Sequence, residues 1–375
     1  MITASVPGKL ILLGEHAAVY GRPALVAAVG LRLRATVRPG RPGAGPGVRI
    51  RLPESGAEAS LSWPRMLETA RRAREAWERY EREPGPATFA ALAAPASTPA
   101  GADAGDASLR LLELALGEAV RELGEEDPAS LGPVELEVVS AIPVGSGFGS
   151  SAAAAVGVTM AYLAFRGAAC DGERLQRVSL EVERRQHGSP SGIDNATVIH
   201  GGILETRRLP SGEVVLDRVP VRSRLLERLR VVGSGRPAEA TGAVVAAVRA
   251  LYDREPARVE GVLDRLAELT GRLRAELDRA EERPAAAVEI LRQAEAGLEE
   301  LGVVPAPVRE LVRRVEAEGG AAKVSGAGSL AGPGAGNLIL YHPEPERIER
   351  WRFLAGCRRY GLELGVQGAR LEGAS

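Results

Sequence analysis

The sequence predicts an α+β chain, and three observations carry that prediction. Runs with β-type alternation stand at Lys9 to Leu13, Ala24 to Val37 and Val134 to Ala141. Amphipathic leucine and alanine patterns at helical spacing stand between and after them, at Pro64 to Arg82 and Ala107 to Leu123. A long helical stretch then gives way to two short strands, Ala321 to Ser325 and Asn337 to His342, around a glycine-rich loop.

Taken in order, the first strand pair brackets Gly14-Glu15-His16-Ala17-Ala18-Val19-Tyr20-Gly21, which is too compact and glycine-bounded for a long helix. The Ala-, Pro- and Gly-rich stretch from Glu83 to Asp106 is expected to be a mobile surface loop, because strand-like sequence of the same kind resumes after it. A helix is expected from Ser151, and a strand pair at Gly202 to Thr206 and Glu213 to Val219. From there to about Glu318 helices dominate, the longest being Ala257 to Arg283. The 375 residues suit two to three domains, and the pattern places a boundary near residue 210.

Composition excludes several classes. A net charge of −1 leaves no basic excess, so neither nucleic acid nor an anionic membrane is expected as a main partner. Cys170 and Cys357 are too few for a disulfide framework and have no metal-ligand spacing with the four histidines. The opening Met1-Ile2-Thr3-Ala4-Ser5 lacks the basic and apolar regions of a signal peptide, and a cytoplasmic location is expected. The apolar run Ala152 to Phe165 is too short to span a bilayer. Asparagine occurs only at Asn195 and Asn337, which fits a thermophile's composition or a GC-rich genome.

Of 48 basic residues only Lys9 and Lys323 are lysines, each beside a glycine-bearing turn. Lysine is a compact point charge on a flexible stem, suited to a phosphate or a reacting hydroxyl where arginine's planar fork is not. Codon bias toward arginine explains the same scarcity. Pro143-Val-Gly145-Ser146-Gly147-Phe148-Gly149-Ser150-Ser151 lies between a strand and an alanine-rich helix. Glycines let a backbone approach an anion, and the helix start turns free N–H groups toward it. The segment has the form of a phosphate cradle, with Ser150 or Ser151 as helix N-cap. A Walker loop is excluded because no Gly-Lys-Ser/Thr occurs, and the dinucleotide pattern fits poorly. Further on, a helix carrying Glu183 runs into a Gly/Pro/Ser loop ending on Asp194. Two such acids can face one cleft as metal ligand and base, or be a solvated helix charge and a loop cap.

Pro7-Gly8-Lys9 through Gly21, Gly145 to Ala153, and Ser325-Gly326-Ala327-Gly328 resemble, in order, the three motifs of the GHMP kinases. Within that superfamily, Glu15 to Gly21, His187 to Ala196 with Gly201-Gly202, and Ala240 to Arg249 are most similar to the mevalonate kinase branch. The resemblance implies a two-domain GHMP kinase fold: a ribosomal protein S5 domain 2-like N-terminal domain over 1–210, with a helical insertion at about 53–130, and a ferredoxin-like C-terminal domain over 211–375. It implies ATP and Mg²⁺ as cofactors and phosphorylation of the primary hydroxyl of mevalonate. Asp194 matches the catalytic aspartate, and Lys9 the lysine beside it. Ser151 and Glu183 match the metal ligands, and His16, Ser191 and Thr241 match positions on the substrate side. Gly145, Ser146, Gly147, Phe148, Gly149, Ser150 and Ser151 match the ATP loop, as do Gly326, Ala327 and Gly328. A homodimer is compatible with the resemblance. Two alternatives stay open: a kinase for phosphomevalonate, a sugar or another alcohol, and an inactive nucleotide-binding regulator on the same fold. The third motif departs from a plain glycine run, reading Ser329 to Gly336 as a lengthened loop. The resemblance gives Lys323 no chemistry, so it is expected only to pair with a surface carboxylate.

Overall fold

A computed structural model describes residues 1–373 except 42, 44, 84, 86, 89–91, 93–103, 188, 189, 210 and 212. Most of the loop expected between residues 83 and 106, and Gly188-Ser189 of the second acid-bearing segment, therefore lie outside the described residues.

Strands β1 (Ile2–Leu13) and β2 (Ala24–Pro39) pair antiparallel from Ile2↔Val37 to Leu13↔Leu25. β1 is longer than its alternation suggests because most of it is covered on both faces, which removes the polar-out signal. The register shifts at Pro7/Gly8, where proline has no N–H to give the ladder. β3 (Gly47–Leu52) and β4 (Ala57–Ser62) form a hairpin, and β3 runs parallel to β5 (Val134–Ser140). With β6 (Ile203–Arg208), β7 (Val214–Arg218) and the late strand β12 (Arg370–Glu372), these make an eight-stranded sheet ordered β12-β1-β2-β5-β3-β4, β6 branching from β2 and carrying β7.

Helices α1 (Trp63–Arg82), α2 (Ala104–Glu122), α3 (Ser150–Phe165), α4 (Gly172–His187) and α5 (Ile193–His200) belong to this part of the chain. α3 is apolar on every side and buried from Ala152 to Leu163, as a helix enclosed by sheet and neighbouring helices must be. Gly157 lets it approach β2, since a β-carbon there would stand 2.9 Å from Leu33 Cδ2.

The second sheet holds β8 (Leu229–Gly235), β9 (Ala321–Ser325), β10 (Gly336–Tyr341) and β11 (Arg358–Tyr360), all antiparallel, in the order β11-β8-β10-β9. Between and around them run α6 (Leu225–Arg228), α7 (Thr241–Arg254), α8 (Pro256–Leu277), α9 (Pro284–Glu300), α10 (Ala306–Ala317) and α11 (Pro345–Arg350). α8 and α9 open on proline, whose fixed φ and missing N–H suit the first helical position. The mixed α+β class is the one expected. Among the described residues no helix is long and apolar enough to cross a membrane.

Candidate active site

The candidate phosphate cradle is built where β1, α3 and the second sheet meet. Gly145, Gly147 and Gly149 all adopt positive φ, at 71°, 81° and 71°, a left-handed backbone of the kind that forms anion-binding nests. Gly149, and neither serine, is the N-cap of α3, and no side chain caps the helix. Ser150 and Ser151 are its first two residues instead, because the left-handed Gly149 starts the helix one position earlier than an N-capping serine would. The first-turn amides are thus left to an anion. Phe148 anchors the loop from beneath: its ring is fully buried edge-on to Tyr360, with centroids 4.9 Å apart, and its carbonyl accepts from the Lys9 N–H at 2.9 Å. Gly8 makes that contact possible, since a β-carbon there would lie 2.9 Å from the same carbonyl.

Lys9 then points along the cradle. Its Nζ lies 3.1 Å from Asp194 Oδ2, the lysine side chain 7% exposed and the aspartate 39%. A nearly buried ammonium beside a half-open carboxylate leaves the acid one face for a ligand. Asp194 is the second residue of α5, set there by the left-handed Gly192 N-cap. Ser191 closes the turn by accepting the Ile193 N–H at 3.3 Å. Asn195 is buried and donates to Ser179 Oγ at 3.0 Å, fastening α5 to α4.

Glu183 reaches the same place from α4. Ser151 Oγ donates to its Oε2 at 3.4 Å. Burial, and next the charge of Asp194, push the Glu183 carboxyl up to about 7, while Ser151 and Lys9 pull the other way. The sequence-predicted Lys9, Ser151, Glu183 and Asp194 are therefore brought together. A hydroxyl and a carboxylate are the hard oxygen donors Mg²⁺ takes, and a carboxylate burdened by burial and a like charge gains from a divalent cation. No group of three acidic, histidine or cysteine ligands exists among the described residues.

The third glycine loop faces the first. Gly326 and Gly328 have φ of 105° and 75°, and Gly328 passes so close to Val303 that a β-carbon would lie 2.2 Å from its carbonyl oxygen. Asn337 Nδ2 donates to the Ser146 carbonyl, tying β10 to the cradle. Ser325 Oγ donates to the Ile11 carbonyl at 2.8 Å. The lengthened segment after Gly328 folds onto the start of α7: Ser329 Oγ donates to Glu239 at 2.6 Å and accepts from the Ala238 N–H at 3.1 Å.

His16 is buried in this contact, its Nε2 2.9 Å from the Ala327 carbonyl, so that nitrogen carries the proton. Burial holds its pKa below the ordinary 6.5, the bond to Ala327 opposing and the Lys323 charge adding. Thr241 is the exposed first residue of α7.

Lys323 corrects the sequence reading. It is not a surface residue: its side chain is 0% exposed and its Nζ pairs with Glu15, itself buried, and donates to the Val324 carbonyl at 2.6 Å. The surface expectation fails because β9 lies between β10 and the first sheet, a placement that five residues of local sequence do not reveal.

The GHMP kinases N terminal domain matches residues 112–202, the stretch holding the cradle, Glu183 and Asp194. Residues 112–202 thus carry a GHMP kinases N terminal domain. The chain is 33% identical over 227 residues to the mevalonate kinase of Aeropyrum pernix, covering 58% of this chain and about half (53%) of that protein. It is 27% identical over 385 residues to the mevalonate kinase of Pyrococcus horikoshii, covering 100% of this chain and 98% of the other. Among solved structures, Methanococcus jannaschii mevalonate kinase superposes with a TM-score of 0.70 at 17% identity, covering 96% of this chain and 98% of that one. L. major mevalonate kinase in complex with R-mevalonate gives 0.66 at 19%, covering 95% and 94%. At those identities the superpositions speak for the fold alone.

Proposed function

We propose that this protein transfers the terminal phosphoryl group of ATP, with Mg²⁺, to the primary hydroxyl of mevalonate, giving 5-phosphomevalonate and ADP. The observation that carries the reading is the Lys9 to Asp194 pair, 3.1 Å apart, set against a glycine cradle at a helix start. A nucleotide-binding regulator needs the cradle and has no use for the pair. The relatives named mevalonate kinase along the whole chain supply the alcohol.

Phosphoryl transfer is mostly positioning and charge neutralisation. The N–H groups of residues 145–151 and 326–328 would hold the phosphates from opposite sides. Ser151 and Glu183 would hold Mg²⁺, which when bound offsets charge on the transferring oxygens. Asp194 would accept a hydrogen bond from the substrate hydroxyl and take its proton, and the Lys9 ammonium would stabilise the alkoxide as it develops. His16, Ser191 and Thr241 would contact the alcohol. Within this reading the chain divides near residue 210 into two domains; the sheets change after Arg218, with β7 still in the first sheet and β12 returning to it. Free Cys170 and Cys357 suit a cytoplasmic setting.

The test is ADP release by the purified chain in MgATP across mevalonate, phosphomevalonate, galactose and other small alcohols. Turnover on mevalonate at least about tenfold above the others in kcat/KM is expected. ADP release that no alcohol stimulates would overturn the reading.

A further inference from the structure

Lys323 is a lysine without any exposed surface on a strand of the second sheet, and its carboxylate partner comes from 308 residues away. Burying an ammonium costs several kcal/mol before any partner is found, and apolar side chains of similar volume would be at least as stabilising. An ion pair held at that cost supplies direction. It ties β9 to one point of the turn that follows β1, where Glu15 stands two residues past Leu13.

The surrounding bonds show what is being registered. Lys323 and Ser325 stand at alternate positions of β9 and so share a face. Along that face Lys323 meets Glu15 and Ser325 meets the Ile11 carbonyl, and two residues on the Ala327 carbonyl meets His16. Thus residues 323, 325 and 327 are clamped to residues 11–16. The clamp continues straight into Gly326 and Gly328. His16 has φ 59°, the one non-glycine residue at positive φ among those described, and that turn aims Glu15 and His16 at the second sheet together. From the helical side, Glu295 of α9 accepts the Val324 N–H at 2.8 Å, fixing the same strand from behind.

We propose that Glu15 and Lys323 are a positioning pair that sets the third glycine loop, residues 326–328, at phosphate-binding distance from the cradle of residues 145–151. The pair touches no substrate. It rests on the nucleotide-binding part of the proposed function, and the experiment separates the two.

The double variant Glu15→Met/Lys323→Met removes both buried charges and leaves neither unpaired. MgADP affinity by calorimetry, KM for ATP, KM for mevalonate, kcat and thermal melting are measured beside wild type. A folded double variant that melts near wild type, binds MgADP at least about tenfold more weakly and keeps its KM for mevalonate is the expected result. The same variant with wild-type MgADP affinity would reduce the pair to packing and overturn the proposal. Should the double variant not fold, Glu15→Gln decides, because it keeps the shape and removes the charge that holds Lys323. Weaker MgADP binding with unchanged KM for mevalonate supports the pair, and unchanged MgADP binding overturns it. If wild type binds MgADP but phosphorylates no alcohol, the kinase reading falls while the MgADP comparison still judges the pair. If wild type binds no MgADP, both fall.

Discussion

Gly149 leaves open the space that the Lys9 side chain fills: a β-carbon on Gly149 would stand 2.7 Å from Lys9 Cγ and 3.2 Å from its Cε. The glycine serves the cradle twice, since its φ of 71° also starts α3. Gly149→Ala is expected to fold and to lose at least about tenfold in kcat, because the methyl displaces the ammonium from Asp194. Steady-state kinetics with a melting curve checks it, and a variant with wild-type kcat would mean that the stem of Lys9 gives way freely.

Glu183→Gln is expected to weaken the dependence on Mg²⁺ more than the KM for mevalonate, since an amide is a poorer ligand for a hard cation than a carboxylate. A Mg²⁺ titration at fixed ATP reads it. An unchanged titration would make Glu183 a buried structural acid.

Conservative changes at the two lysines should both be severe, for different reasons. Lys9→Arg keeps the charge, but a planar fork cannot occupy the place of a compact ammonium 3.1 Å from Asp194, so kcat falls with little change in melting temperature. Lys323→Arg overfills a fully buried site, at a cost of about 1–3 kcal/mol, so the melting temperature falls. Kinetics and melting curves on both variants separate the cases, and a mild Lys323→Arg would restore the surface reading of that lysine.

The candidate site was legible because it is carried by local chemistry: glycines at fixed spacing, a serine at a helix start, an acid after a Gly/Pro/Ser loop. The strands of the first sheet were legible wherever alternation or β-branching survived, as in Val134 to Ser140. The hairpin Gly47–Leu52 with Ala57–Ser62 escaped notice because both strands are short and the second falls inside the stretch read as helical insertion. β8 escaped because seven residues among long helices carry little periodicity. What could not be read was pairing over long separations, including Glu15 with Lys323 and Asn337 with Ser146. A signal was present: both asparagines of the chain are buried with side-chain hydrogen bonds, so their rarity marked positions as well as composition.

Glu295 gives a pH test that does not touch the substrate. Burial raises its carboxyl from the ordinary 4.5 to about 7, while the bond from Val324 and the Lys323 charge oppose. Below about pH 4.5 it is protonated in folded and unfolded chains alike and costs nothing. Between about 4.5 and 7 the unfolded chain gives up this proton first, so stability falls as pH rises, and above 7 the whole penalty is present. Glu295→Gln has no such titration. Its melting temperature relative to wild type should therefore climb from pH 4.5 to about 7 and then level. A difference flat across that range would mean that the folded carboxyl titrates normally.

The measurement that bears most directly on the kinase reading is a paired one on Asp194→Asn: MgATP affinity by calorimetry and kcat for ADP release with mevalonate. Asparagine keeps the size and one acceptor of the aspartate but cannot take the hydroxyl proton. MgATP affinity within about threefold of wild type, with kcat lower by about 10² to 10⁴, is the predicted result. A variant that keeps more than about a tenth of wild-type kcat would contradict the account, because the group facing Lys9 would then not be the one that acts on the alcohol.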